Sequence, residues 1–167
     1  MKGKKIALVV SGASLFKKGL GDLIESYDVV VRLNRALPIN LSKASDIGER
    51  TDVLYNTLDG FPEAGGPIDG DLWRRSGVKY SILPTRWIKD EVYYPIREYV
   101  KFRPNSGTTA LMDILSHDIE KVHLFGLDFF RTLYDPRYLQ SGDSKGAFER
   151  HLASNKRDRH DPDAQYK

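Results

Sequence analysis

Ile6-Ala7-Leu8-Val9-Val10-Ser11-Gly12-Ala13-Ser14, followed by an amphipathic stretch and then by Asp28-Val29-Val30-Val31-Arg32-Leu33-Asn34, is where the fold can be read. Ile6 to Val10 is an apolar run too short for a helix and bounded by small residues, the pattern of a strand buried on both faces. Ser11-Gly12-Ala13-Ser14 is then a small-residue loop whose backbone N–H groups could approach an anion. Leu20, Leu23, Ile24 and Tyr27 fall at helical spacing, and Asp28 to Asn34 is a second, β-branched strand. Strand, loop, helix and strand close as a unit only through parallel pairing and a right-handed crossover. Ligands of open α/β sheets bind beyond the carboxyl ends of the strands, so Ser11 to Ser14 and Asn34 are expected on one binding edge. The glycines Gly12, Gly19 and Gly21 do not spell the G-x-G-x-x-G dinucleotide fingerprint.

The rest of the chain extends the same architecture. Leu37 to Arg50 carries Pro38, Asn40 and Gly48 and reads as irregular. Thr51 to Thr57 is a third strand, with Val53 and Tyr55 facing one way and Leu54 the other. Asp59 to Asp71 is a loop rich in glycine and proline, a candidate rim for an acceptor. Val78 to Leu83 is a fourth strand. Thr85 to Phe102 looks helical in its first part, where Trp87, Ile88, Val92 and Ile96 are periodic, with Pro95 bending or dividing it. Its aromatics Trp87, Tyr93, Tyr94 and Tyr99 read as core rather than as a sugar platform. Ser106 is placed to cap a helix whose apolar face is Ala110, Leu111, Ile114 and Leu115, and a helix start of that kind binds phosphate. Lys121 to Leu127 is a fifth strand with His123 inside it as a structural residue, and Ser144 to Asn155 forms a short helix in a polar tail.

Composition bounds the function. At 167 residues the chain suits one α/β domain, with 40% hydrophobic and 29% charged residues, ordinary for a globular protein. A net charge of +3 and a pI near 9.0 attract anions mildly, but the positive charges are dispersed, which excludes a nucleic-acid stripe. With no cysteine there is neither a disulfide framework nor a thiolate metal site, and a reducing cytoplasm is the expected location. No run approaches the ~18 apolar residues of a membrane span. Asp69-Gly70-Asp71 has the D-x-D form that holds divalent cations in many glycosyltransferases, but two carboxylates in a loop of this composition arise readily by chance, so no metal is assigned. The sequence sets no oligomeric state.

Gly19-Leu20-Gly21, Ile24 to Ala36, Asp46-Ile47-Gly48 and Arg50-Thr51-Asp52 together resemble the large sialylmotif of glycosyltransferase family 29, the eukaryotic-type sialyltransferases. Pro104-Asn105-Ser106-Gly107-Thr108, the helix after it and Val122, His123, Gly126 and Phe129 resemble the small sialylmotif. His160 with Gln165 resembles the very small motif, in which a catalytic His is followed by Glu. Where the family has Gly-Asn-Ser-Gly after the first strand, this chain has Val10-Ser11-Gly12-Ala13. The family's His-Tyr motif has its nearest counterpart in Tyr134-Asp135, and His151 offers another imidazole.

The resemblance implies a single Rossmann-like domain over residues 1–167, a GT-A-like variant with a mostly parallel sheet flanked by helices. It implies inverting transfer of a sialic acid or related sugar from a CMP-sugar to a glycan hydroxyl, without metal or cofactor, in a compact microbial or viral relative. His160 would be the general base. Ser11, Gly12, Ala13, Ser14, Asn34, Arg35, Asn105, Ser106, Gly107 and Thr108 would bind the CMP-sugar. The alternative is a catalytically silent CMP-binding protein, to which Ser11, Gln165 and the missing third-motif His point. An unrelated methyltransferase-like or NAD-binding domain would place an acidic residue after the second strand, where this chain has Asn34-Arg35.

Overall fold

Ile6, Ala7 and Leu8 are fully buried, as a strand covered on both faces requires. In the computed structural model, which describes residues 1–56, 70–82, 90–101 and 104–128, they belong to β1 (Lys5–Val9). The other strands are β2 (Val29–Leu33), β3 (Val53–Tyr55), β4 (Tyr80–Ile82) and β5 (Lys121–Phe125). They form one sheet in the order β4-β3-β2-β1-β5, and every pair is parallel. Ala7 sits in register with Val30 on one side and His123 on the other.

Successive strands step from β1 out to β4, and the chain then returns across the sheet to β5. Because parallel crossovers keep one hand, reversing direction moves the connecting helices to the opposite face. The two cores follow from this. On one face Ala7, Val9 and Val30 pack with Leu15, Ile24, Tyr27, Ile47 and Phe125, under α1 (Gly21–Glu25) and α2 (Ala44–Ile47). On the other face Ile6, Leu8, Val31, Leu33, Val53 and Tyr55 pack against Ala110 and Ile114 of α5 (Ser106–Leu115). Val53 and Tyr55 share that face while Leu54 is buried on the other, the alternation expected from the sequence.

Several local expectations need correction. Leu37 to Arg50 is not wholly irregular: Asn40 Oδ1 accepts from the Ser42 N–H (3.2 Å), and α2 follows, anchored by buried Ile47. Gly70 and Asp71 belong to α3 (Gly70–Ser76) rather than to the preceding loop. Of the helix expected over the first part of Thr85–Phe102, the described residues hold α4 (Asp90–Val100), which runs through Pro95 instead of ending there. Pro95 lies in the second turn, where its missing N–H removes one bond and its fixed φ suits a helix. Tyr94 and Tyr99 are 54% and 75% exposed, so they are not core. Leu23 and Leu115 also point outward, because α1 and α5 each turn a narrower face to the sheet than the apolar pattern suggests. His123 is exposed on β5, although its Nδ1 meets the Tyr27 hydroxyl. Trp87, Ile88, Phe129, Tyr134, the 144–155 segment, His151, His160 and Gln165 lie outside the described residues. No described helix is long and apolar enough to cross a membrane.

Buried polar groups tie the layers together. Asp52, with a 5% exposed side chain, accepts from the Val30 N–H (2.8 Å) and Lys79 Nζ (2.8 Å) and faces Arg50 (3.5 Å). Burial opposes its ionisation, but Lys79, the Val30 N–H and Arg50 outweigh that and hold the carboxyl below the usual range. On the opposite face the Tyr55 hydroxyl donates to Asp113 Oδ2 at 2.6 Å, joining β3 to α5. Burial, then the bond and charge of Asp113, raise the Tyr55 phenol far above its ordinary value.

Two outcomes follow for stability. A carboxyl depressed in the folded state stabilises fully above its unfolded pKa of about 3.9, and that contribution disappears as pH falls through the lower folded value. Asp52→Asn should therefore cost about 2 kcal/mol near pH 7, and its deficit should shrink below about pH 4; urea unfolding at both pH values measures it. Tyr55→Phe leaves the buried Asp113 without its donor and should cost about 1–3 kcal/mol in the same experiment.

Candidate nucleotide site

The strand order reverses at β1, between β2 and β5, and a crevice outside the carboxyl ends at such a reversal is where open α/β sheets take ligands. Pairing continues past the strands: Val10 N–H donates to Phe125 O (2.7 Å) and Gly12 N–H to Gly126 O (3.1 Å). A Cβ on Gly12 would overlap Gly126 O and lie 2.5 Å from Asp128 Oδ2, so only glycine allows this approach.

That pairing changes the role of the first loop. Gly12 spends its N–H on Gly126, and Ala13 to Leu15 form a 3-10 turn in which Leu15 N–H returns to Gly12 O (3.3 Å) and Phe16 N–H to Ala13 O (3.1 Å). Ser11 to Ser14 is therefore an ordered corner in which the Gly12 N–H is already spent. Ser14 is exposed, Ala13 is half-buried in the turn, and Ser11 and Gly12 line a cleft of ≈ 370 Å³, open to solvent, with Arg32 and Ile47. Arg32 is 2% exposed and donates to Ile47 O (2.6 Å) and Arg50 O (3.0 Å), so this buried cation holds the α2 segment against β2.

Asn34 follows β2 with φ +52°, a left-handed conformation that Asn tolerates better than most residues, and opens a 3-10 turn through Arg35 to Ala36. The Arg35 side chain lies outside the described part. At α5 the cap is Asn105 and not Ser106: Asn105 Oδ1 accepts from Thr108 N–H at 2.8 Å, while Thr109 N–H reaches Asn105 O at 2.9 Å. Ser106 is the first helical residue, and Gly107 the second. A Cβ on Gly107 would meet Leu127 Cδ1 at 2.8 Å, Asn105 Oδ1 at 3.2 Å and Leu33 Cδ1 at 3.8 Å. The α5 start thus lies against the end of β2, beside Asn34, and against the turn after β5.

Gly126, read only as part of a motif, Leu127, read as the end of a strand, and Asp128, not singled out, form a turn whose position the sequence reading missed. It touches Gly12 on one side and Gly107 on the other, joining the two loops assigned from sequence. The fifth strand, expected to reach Leu127, ends at Phe125, which puts these residues just beyond the carboxyl edge. Asp46, read only as part of a motif, accepts from the N–H groups of Lys17, Lys18 and Gly19, each at 2.8 Å. The bonds from Gly19 and Lys17, against a smaller effect of burial and with help from Lys18 and the Lys43 charge, lower its carboxyl pKa. An anion cradle exists at residues 17–19, and the protein's own carboxylate fills it. Of the D-x-D pair, Asp69 lies outside the described residues, and Asp71 pairs with Arg74 in the first turns of α3.

Fold and edge define an open parallel α/β domain whose crevice lies at the carboxyl ends of β1, β2 and β5, where sheets of this kind take ligands. The model of glycosyltransferase family 29 (sialyltransferase) matches residues 2–146, and the chain belongs to that family. The crystal structure of a mammalian sialyltransferase in complex with Gal-beta-1-3GalNAc-ortho-nitrophenol is similar with a TM-score of 0.54 and 19% identity, over 91% of this chain and 66% of that one. A second crystal structure of a mammalian sialyltransferase gives 0.52 and 15%, over 91% and 65%. At these identities the likeness is one of fold, and this chain spans just under two thirds of those proteins. Comparison with curated proteins finds no match. His160 lies beyond the matched residues.

Gly107→Val should move the α5 start away from Leu127 and the Asn105 cap. Overpacking of this kind costs about 1–3 kcal/mol, so the variant should unfold at lower urea and bind CMP more weakly. Parental affinity in a folded Gly107→Val protein, measured by calorimetry, would remove α5 from the site.

Proposed function

We propose that this chain carries the donor site of a sialyltransferase-type glycosyltransferase, which moves a sialic acid or related sugar from a CMP-sugar to a glycan hydroxyl with inversion. The observation that supports it best is the meeting, at one sheet edge, of two blocks distant in sequence: Ser11 to Asn34 and Asn105 to Asp128. The first overlaps the Gly19–Asp52 stretch and the second falls in the Pro104–Phe129 stretch that resemble the large and small sialylmotifs, and Gly107 lies against both Leu33 and Leu127. The helix start at Ser106 and Gly107 carries partial positive charge and would receive the phosphate, whose negative charge grows as CMP leaves. With one phosphate, CMP offers a bridging cation little to chelate, so the reading needs no metal.

In this scheme the acceptor hydroxyl loses its proton to His160 as the new glycosidic bond forms at the anomeric carbon and the bond to the CMP phosphate oxygen breaks. Neutral imidazole, with a pKa near ~6.5, is available for that at physiological pH. Ser11 in place of Asn and Gln165 in place of Glu favour a second reading, a CMP-binding protein without turnover.

Calorimetry with CMP alongside donor hydrolysis separates the two: binding without turnover selects the second, and stabilisation by UDP- or GDP-sugars but not by CMP or CMP-sugars overturns both. If the enzyme reading holds, His160→Ala should lower CMP release to an acceptor by about a hundredfold or more while leaving CMP affinity nearly unchanged. Parental activity should rise with pH through the imidazole range. Unaltered turnover in a folded His160→Ala protein would remove His160 from the chemistry.

A further inference from the structure

We propose that the outward face of α4 is a platform for a neutral acceptor glycan, with Tyr94 and Tyr99 stacking on sugar rings and Glu91 and Glu98 accepting from sugar hydroxyls; this rests on the glycosyltransferase reading above. Ile96 is buried and turns one side of α4 to the protein. At about 100° per residue, Tyr99, Pro95, Glu91, Glu98 and Tyr94 follow in that order round the helix away from Ile96. All five are exposed, Tyr94 by 54% and Tyr99 by 75%. Two aromatic rings therefore border a strip of carboxylates and a proline ring, and a rise of ~7.5 Å separates them along the axis. A chain of two or more sugar rings can touch both. Tyr93 meets Tyr94 edge-on, with ring centroids 5.7 Å apart, which fixes the Tyr94 ring from its side.

The chemistry of the strip selects the occupant. A pyranose ring presents C–H groups on its faces and hydroxyls round its rim. Tyrosine offers a broad apolar face at little cost in rotamer freedom, and carboxylates accept hydrogen bonds from several hydroxyls while donating none. An apolar protein surface would bury Glu91 and Glu98 without partners, which is costly, and a polyanion would be repelled by them. The place of the strip agrees with an acceptor. α4 packs beside α5, and only residues 101–105 separate its last residue, Val100, from Ser106 at the carboxyl edge of the sheet. At no more than ~3.6 Å per residue, Tyr99 lies within about 25 Å of that edge. A glycan whose reacting end sits in the crevice can thus run out along α4.

The test is saturation-transfer NMR titration of the full chain with lacto-N-neotetraose, a neutral chain of four sugars, and with methyl β-galactoside as the one-sugar control. The parent should bind the tetrasaccharide more tightly than the control, with saturation reaching the C–H protons of its rings. Tyr94→Ser and Tyr99→Ser should each weaken the tetrasaccharide by about eightfold, the equivalent of ~50 Å² of apolar surface left unburied. Tyr94→Phe and Tyr99→Phe, which keep the ring, should bind like the parent. Because both side chains point outward, the urea midpoint and CMP affinity should not move in any of the four, a pattern that a loosened fold would not give. Parental tetrasaccharide affinity in the Tyr94→Ser/Tyr99→Ser double variant overturns the proposal, as does failure of the parent to bind the tetrasaccharide at millimolar concentration. Self-association that the double variant abolishes, seen in place of glycan binding, overturns it in favour of a second copy on this face. CMP binding that persists through these outcomes leaves the donor reading standing. Absence of CMP binding, with the tetrasaccharide still held through Tyr94 and Tyr99, overturns the donor reading and leaves the glycan surface.

Discussion

The pairing of β1 with β5 is the interaction on which the site depends. β1 is buried on both faces and hydrogen-bonded on both edges, and its partner on one side comes from more than a hundred residues later in the chain. Without that return the loop after β1 and the start of α5 would have no common neighbour. With it, Gly12 docks on Gly126, Leu127 docks on Gly107, and three carboxyl ends converge. The pairing needs both a glycine corner that lets two backbones touch and an apolar face on α5 that packs over β1, β2 and β3.

Much of the charge in the described part is spent on architecture. Asp46 closes the 17–19 turn, and Glu25 Oε1 accepts from the N–H groups of Glu49 (2.6 Å) and Arg50 (2.8 Å). Arg32 holds the α2 segment by its carbonyls, and Asp52 joins β2 to β3 and the segment before β4. Each polar side chain satisfies main-chain groups of irregular connections or strand ends, and for the buried bonds of Arg32 and Asp52 a group left unpaired would cost of the order of 1–3 kcal/mol. Several residues of the large-motif block therefore have structural work independent of any ligand. Asn34 combines both kinds of demand, since its left-handed backbone suits Asn whatever its amide contacts.

The same physics explains where sequence reading stopped short. Ser106 and Asn105 are both good caps, and only the register of α5 against Leu33 and Leu127 selects Asn105. Tyr94 and Tyr99 share helical spacing with core residues, but α4 turns them to solvent. Asp113 drew no reading from sequence, and its partner, the Tyr55 hydroxyl, comes from β3 across the sheet. Ser11 to Ser14 has the composition of an anion cradle, and the pairing with Gly126 takes up the Gly12 N–H of that loop.

By itself the sequence determined the alternation of short apolar strands with helices, and hence a parallel sheet whose ligand edge includes Ser11 and Asn34, because strand period, strand length and crossover handedness are local or nearly local properties. It also carried the wording of family 29. Only the tertiary structure decided which edge of β1 receives β5, which polar side chains spend their hydrogen bonds inside the protein, and that the Gly126–Asp128 turn touches both Gly12 and Gly107. Those are contacts between residues distant in the chain, and no local preference encodes which distant backbone a glycine will meet.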